Sequence, residues 1–576
     1  MNPIKALPLF LCLLLPLAVF GQTQEMLLLS SVAYDEMDTL YLLKGLGSPS
    51  SARPWTKAEA SLILDKIDSS ALSAKEQALY DHIASLVYEP LRFSLDKLAT
   101  LDAGLEFALE AYMHTNSSDY VREEDWVYGY EERRPLLNAY LELNLGSWFS
   151  VYTDARYGRN RFNQRDLNRD SGDLPGGLGA VIPPNPETGV PFPYYSWAYS
   201  RPFLSNVPTG IDEFDFDWPK RAVLTLGGAH WNISLARDKL QWGRGKTGNF
   251  VFDSHRDYDE YFKVSAFSSN FKYEWLNVFY TSPESMGEPL KIFMAHRLEF
   301  RLFPSLVLAV SENIIYKGEG FNPRYLNPAF IFHNWLDRTM FNALAHLELD
   351  FAPVKGYRLY IQTVFDQIRA TWEDDIEPWS WGMLGGIEHA RFAGPGVLNL
   401  SLEAAYTSPL LYRRDEVDFI TLGTTRVNGS PDPLYFDYTG YPYGGDALVF
   451  QIDSSYRFPN SALLSGRFFA MVHGKMNPFV SHNKEGNNTG LANLDSHTPS
   501  GSTDEQELTL GAMFKGSYGF PKKFLRLTLT AWSELDLLFK KNKLMVSENG
   551  TGESLVYHKP GWAGDFQFSL GFGLKI

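Results

Sequence analysis

Cysteine is almost absent from this sequence: of 576 residues only Cys12 is one, and it stands inside an apolar run near the start. A chain leaving its cysteine behind with a leader has no disulfide, so an exported protein of this kind needs another source of stability. Positive charge is also short. Lys and Arg number 52 against 68 Asp and Glu, a formal −16, which argues against a nucleic-acid partner, whose phosphates need a surplus of positive charge. Long hydrophobic runs are missing as well. Mean hydropathy is −0.22, and the run 6–20 is shorter than the roughly 20 residues that span a bilayer as a helix. Catalytic templates fail in turn. There is no HExxH, CxxC or GxSxG, and Leu240 stands where a phosphate loop ending in Gly245-Lys246-Thr247 needs glycine. The cluster Asp253, His255, Asp257 and Asp259 lacks the glycine-bearing spacing of a Ca²⁺ loop and reads as a solvated loop. An enzyme is not expected, and no cofactor or metal is called for.

What the chain does have is aromatic side chains, 15% of all residues, with 31 Tyr, 40 Phe and 14 Trp. An aromatic-rich yet polar chain fits a transmembrane β-barrel, because only alternate residues of each strand meet lipid. The N-terminus reads as a secretory signal, 1–21. Lys5 gives the positive end, 6–20 the apolar stretch, and Val19 and Gly21 are small enough for cleavage before Gln22.

Residues 22–100 are expected to form a short helical bundle on the periplasmic side. Thr56-Lys57-Ala58-Glu59 and Ser73-Ala74-Lys75-Glu76 both fit capping boxes, and a third helix is expected over 32–46. From Gly104 the apolar period becomes two. Leu105, Phe107, Leu109 and Met113 alternate with polar residues, as do Leu398, Leu400 and Leu402 with Asn399, Ser401 and Glu403. About 18 strands are predicted from 104–114 to 564–576, joined alternately by short links and by long ones at 158–220, 315–342, 408–445, 474–504 and 534–563. That asymmetry belongs to outer-membrane barrels, with tight periplasmic turns and long outer loops, and places 101–576 in a transmembrane antiparallel β-barrel in the bacterial outer membrane. The last strand carries Phe566, Phe568, Leu570, Phe572, Leu574 and Ile576 on one face, resembling the terminal signal read by the barrel assembly machinery. Membrane lipid and that machinery are the partners the barrel itself implies.

Strand positions expected to face inward carry both signs of charge, among them Arg297, Glu299, Glu348, Arg358, Glu403, Asp453 and Arg467. Pairing across the interior is the favoured reading, and a polar-solute channel the alternative. The outer loops are rich in aromatics, as in Tyr194, Tyr195 and Trp197 and again from Tyr435 to Tyr443. Such rings stack on sugars or form an interfacial girdle.

Arg53-Pro54-Trp55-Thr56-Lys57-Ala58-Glu59-Ala60, Gln241-Trp242-Gly243-Arg244-Gly245 through Gly248-Asn249-Phe250, Asn327-Pro328, and Tyr360-Ile361-Gln362 through Asp366 occur in that order. With the plan of leader, helices and about 18 strands, the chain resembles the Wzi-type capsule assembly outer-membrane proteins over nearly its whole length. The resemblance implies a non-enzymatic, lectin-like barrel that binds surface polysaccharide, capsular or exopolysaccharide, and helps assemble or anchor it. A porin-type channel and a surface adhesin are the alternatives. The candidate ligand-binding residues are Trp242 and Arg244, by loop placement and chemistry, with Tyr194, Tyr195 and Trp197 in the long insert at 158–220. For Trp242 and Arg244 the competing reading is a glycine-rich turn that folds into the lumen and packs there.

Overall fold

A computed structural model describes residues 23–88, 93–94, 99–120, 125, 127, 132–159, 201–210, 214–256, 258–280, 290–318, 327, 331–332, 341–367, 379–413, 417–427, 430–459, 461–475, 497–520, 527–548 and 554–576. The expected leader and most of the insert at 158–220 lie outside them.

Within the described residues, eighteen long strands close into one antiparallel barrel. In chain order they are β1 Ala99–His114, β2 Leu137–Leu145, β3 Phe149–Arg159, β4 Ala222–Gly227, β5 Trp231–Asp238, β6 Asp259–Phe267, β7 Phe271–Tyr280, β8 Leu290–Phe303 and β9 Leu306–Gly318. The second half runs β10 Phe341–Val354, β11 Tyr357–Gln367, β12 Ser380–Ala393, β13 Gly396–Thr407, β14 Ala447–Arg457, β15 Ala462–His473, β16 Glu507–Gly519, β17 Thr528–Glu548 and β18 Ser554–Lys575. Closure comes from β18 pairing with β1, from Gln567 opposite His114 to Lys575 opposite Glu106. Closed in this way, the barrel sheet has no free edge among the described residues to template association.

The period-two pattern fixes which face is which. Leu105, Phe107, Leu109 and Met113 of β1 are exposed on the outside, as are Leu400 and Leu402 of β13 and Leu464 and Phe468 of β15. Exposed apolar side chains on every side would be an aggregation surface in water; on a barrel wall they are the lipid-facing band. Their neighbours in sequence, such as Glu110, Ser401 and Glu403, point inward and are buried.

Two expectations need correcting. The expected outer loop at 534–563 is mostly strand, because β17 and β18 run 21 and 22 residues and pair out to Glu548 and Ser554. The expected outer loop at 408–445 contains its own hairpin, Ile420–Val427 with Ser430–Tyr438.

Three helices precede the barrel: α1 Val32–Lys44, α2 Lys57–Asp65 and α3 Ala74–Val87. Ser73 and Glu76 cap α3 reciprocally. At α2 only half the expected box forms. Thr56 accepts from the Glu59 amide, while the Glu59 carboxylate turns away to the Lys272 ammonium of β7 at 2.7 Å. Tyr34, Met37, Leu40, Leu64, Ile83 and Val87 make the bundle's core. The bundle covers the short turns that lie between β6 and β13. Gly47 donates to Pro304 O at 2.9 Å and Gly356 to Leu42 O at 2.8 Å. Lys66 donates to Ser269 O at 2.9 Å and Lys75 to Gly394 O at 2.7 Å. Segments flanking the helices go further and enter the lumen. Ser48 N donates to Asp350 of β10 at 2.8 Å, and the ammoniums of Lys272 and Lys263 reach Ala52 O and Pro54 O at 2.8 and 3.2 Å.

Candidate functional site in the barrel lumen

The loop joining β5 to β6 does not stay outside. It turns into the lumen, where Leu240, Trp242, Phe250, Val251 and Phe252 are buried. Its glycines make this possible. Gly243 has φ +123°, and a Cβ there would sit 2.2 Å from Asn249 Oδ1; Gly248 has φ +137°, and a Cβ would sit 2.2 Å from Pro442 Cδ. A side chain at either position meets both a disfavoured backbone region and an occupied one. The second inserted loop, between β13 and β14, packs on the first. Tyr412 Oη donates to Phe250 O at 2.7 Å and Tyr441 Oη bonds Thr247 Oγ1 at 3.0 Å.

The descending loop meets the N-terminal segment in mid-lumen. Short strands Ala52–Arg53 and Gln241–Trp242 pair antiparallel, and Gly243 N donates to Ser51 O at 3.1 Å. Around this ribbon lies a network of charges. The Arg244 guanidinium touches Asp38 of α1 at 2.7 Å, Asp350 of β10 at 3.4 Å and Glu388 of β12 at 3.4 Å. Arg53 takes the other oxygen of Asp38 at 2.6 Å, and Arg358 of β11 lies 2.8 Å from Glu388. Lys246 reaches Glu388 at 2.9 Å. The carboxylate of Glu403 accepts from Lys246 N, Thr247 N, Thr247 Oγ1 and Tyr360 Oη at 2.6–2.8 Å. Nearby, Arg297 bridges Glu299 and Glu348 at 3.1 and 3.0 Å. Pairing of inward charges is therefore the state of this part of the lumen.

Burial alone would raise the Asp38 pKa, but the guanidiniums of Arg244 and Arg53 outweigh it and hold it down to about 2. Burial disfavours the Arg244 cation too; Asp38, Glu388 and Asp350 reverse that and leave its pKa well above the ordinary value. Both groups are charged throughout the physiological range.

Of the sequence candidates, Trp242 and Arg244 come together here, and neither is on the surface. Trp242 is 0% exposed, donates from Nε1 to Glu274 at 2.8 Å and stands edge-on to Phe252. Arg244 is 5% exposed. As placed, both take part in packing the lumen. Tyr194, Tyr195 and Trp197 lie outside the described residues. In the acidic cluster Asp253 accepts from His255 and Asn249 and buried Asp259 pairs with Arg256 at 2.5 Å, so these members are held by protein groups rather than in a solvated loop; Asp257 lies outside the described residues. Among the described residues no group of acidic, histidine or cysteine side chains is arranged to hold a metal. The partners Asp38, Asp350 and Glu388 were not singled out from sequence, since they sit on three elements far from Arg244 along the chain.

Three of the four stretches that carry the family resemblance meet here; Pro328 of the other lies outside the described residues. Arg53 pairs with Gln241 in the ribbon, Tyr360 bonds Glu403 and Gln362 Nε2 lies 2.9 Å from Asn249 Oδ1. A solved structure with this plan is that of Wzi from Escherichia coli, described as an outer-membrane protein involved in group 1 capsule assembly and a carbohydrate-binding β-barrel. It matches at TM-score 0.53 and 13% identity, over 96% of this chain and 99% of that one. The chain has the fold of Wzi. At that identity the likeness to Wzi is one of fold. The Acinetobacter baumannii barrels OccAB3 and OccAB1 match at TM-scores 0.35 and 0.39, with 9% and 7% identity, over 82% and 83% of this chain and 100% and 97% of theirs. No protein-family model and no curated protein matches the sequence. The fold shared with Wzi is that of a closed transmembrane β-barrel.

Proposed function

We propose that this chain is a non-enzymatic outer-membrane protein that binds surface polysaccharide, capsular or exopolysaccharide, and assists its assembly or anchoring at the cell surface. One observation carries the reading. The lumen is occupied from both ends by the chain itself, with the N-terminal segment and the β5–β6 loop joined strand to strand at Ala52–Arg53 and Gln241–Trp242. A barrel packed in this way is suited to presenting loops rather than to conducting solute. Wzi, with the same fold, is described as carbohydrate-binding. In this reading Tyr194, Tyr195 and Trp197 offer ring faces to sugars from the outer insert, while Trp242 and Arg244 position the inserted loop. The polysaccharide and outer-membrane lipid are the standing partners, and the barrel assembly machinery a transient one.

The test joins two measurements on the full chain. Cells lacking the protein should shed surface polysaccharide into the medium and regain it on complementation, with less recovery for Trp197→Ala combined with Tyr194→Ala and Tyr195→Ala. Purified protein in a planar bilayer should give no large steady current. A porin-sized conductance together with unchanged polysaccharide retention would sink the proposal.

A further inference from the structure

The lumen is not filled evenly. Along β7, β8 and β11 the inward side chains are packed: Lys272, Arg297 and Arg358 have side chains 4%, 1% and 1% exposed. On the opposite wall several inward side chains are open, set among buried ones such as Trp532, Glu534 and Ser569. Arg467 of β15 is 45% exposed and Lys515 of β16 is 43%, while Lys575 of β18 and Glu106 of β1 are 42% and 40% exposed. These are not lipid-facing residues. Their sequence neighbours Phe468, Phe514, Leu574 and Phe107 take the outer face, and the first, second and fourth are exposed there. An inward side chain with that much free surface lines accessible space. The space reaches deep, since Arg467 lies five residues beyond Ala462, or about 17 Å of strand at ~3.4 Å per residue.

Toward the long-loop end the same wall is shut. The next inward positions, including Leu538, Thr509, Met471, Val449, Tyr112 and Gln567, are all buried. At the closed end stands Asp536, the inward residue above Glu534. It is 0% exposed, and neither of its carboxylate oxygens has a hydrogen-bond partner among the described residues. Being fully buried, it marks where the open space ends and does not border it.

We propose that the half-lumen between β14 and β2 is a blind chamber, open at the short-turn end, that binds an uncharged, hydroxyl-rich saccharide segment entering from the periplasm. The ligand class rests on the surface-polysaccharide reading; the chamber does not. The walls carry both signs already paired: Asp453 with Arg467 at 2.7 Å, Glu534 with Lys515 at 3.0 Å and Glu106 with Lys575 at 2.7 Å. A ligand of one charge is repelled by half of these groups. Hydroxyls both donate and accept, so a neutral sugar bridges exposed charged groups without breaking their pairs. Tyr140, half-buried with the Lys575 ammonium 4.9 Å from its ring centroid and stacked on Tyr152, adds an aromatic surface near the mouth.

Cys12 is the one native cysteine, so single-cysteine labelling is clean in a Cys12→Ser parent. Ser465, paired in register with Lys515, and Ser517, one inward position nearer the turn, are each replaced by Cys in the full chain, and assembly is checked by heat-dependent gel migration. A bulky impermeant maleimide should leave intact cells unlabelled and label both variants once osmotic shock admits it to the periplasm. Maltoheptaose, a β-galactan oligomer or a mannan oligomer at millimolar concentration should slow labelling at least threefold, an acidic polygalacturonate oligomer should not, and Arg467→Met should weaken the protection. Labelling in intact cells, or none after shock at either position, overturns the chamber. Open access with no protection by any of the three neutral sugars overturns the ligand. Polysaccharide retention on the same parent cells reports on the surface reading separately, so the two failures are told apart.

Discussion

Arg244 shows how a charge is kept inside a membrane protein. Its guanidinium is planar, always ionised and able to serve several carboxylates at once, and here it serves Asp38, Asp350 and Glu388. Removing the cation leaves three buried anions short of a partner, which costs more than the pairs themselves are worth. Arg244→Met is expected to lower stability by about 3–5 kcal/mol, read from the urea midpoint of heat-dependent gel migration. Arg244→Lys should recover only part, because an ammonium cannot span all three acids. Asp38 gives the pH counterpart. Its pKa is lowered to about 2 when folded, against the ordinary value near 4. A depressed acid contributes stability that is complete above its unfolded pKa and is lost as pH falls through the folded one. The ion-pair contribution, on the order of 2 kcal/mol, should therefore fade between pH ~4 and ~2, and Asp38→Asn should flatten the acid limb of the unfolding curve in that window. An unchanged limb would mean that Arg53 and Arg244 hold Asp38 no more tightly than solvent does.

At the scale of elements, strands were legible and the fate of loops was not. The alternation of Leu398, Leu400 and Leu402 with Asn399, Ser401 and Glu403 falls within the observed strand β13, Gly396–Thr407, because lipid on one side and polar lumen on the other write alternation into the residues. Beyond the lipid band that contrast ends. Lys540, Lys541, Asn542 and Lys543 are polar on both faces, yet β17 and β18 stay paired past them, so the hairpin read as a loop. The inserted loop was half legible. The run Gln241–Asn249 stood out by its glycines and by Trp242 and Arg244, but its destination is decided by contacts with Asp38 and Glu403, 206 and 157 residues away from their partners Arg244 and Lys246. The glycines are where this element can be tested. At Gly248 a β-branched side chain meets both the φ of +137° and the Pro442 ring. Gly248→Val should keep the loop from seating while leaving the barrel's strand pairing intact. The expected result is a heat-modifiable barrel with a lower urea midpoint and small, flickering bilayer currents absent from the parent.

The whole molecule is two layers that depend on different physics. The wall is held by hydrogen-bonded strand pairs from β1 round to β18 and back, and its exterior by lipid; the plug is held by the charge network and by two loops folded inward. Damage to one layer should leave the other recognisable. Leu402 faces lipid and is 41% exposed, so Leu402→Arg should cost about 2–4 kcal/mol if it lies near the bilayer midplane and reduce the amount of assembled barrel, while the barrels that do form remain closed to current. Deleting 23–56 does the converse. No barrel strand is lost, so heat-dependent migration should persist, but Asp350, Glu299 and the Gln241–Trp242 strand lose Ser48, Ser50 and Ala52–Arg53. The lumen should then conduct. If the deletion instead abolished assembly, the N-terminal segment would be part of the folding core of the wall, and the division into wall and plug would have to be given up.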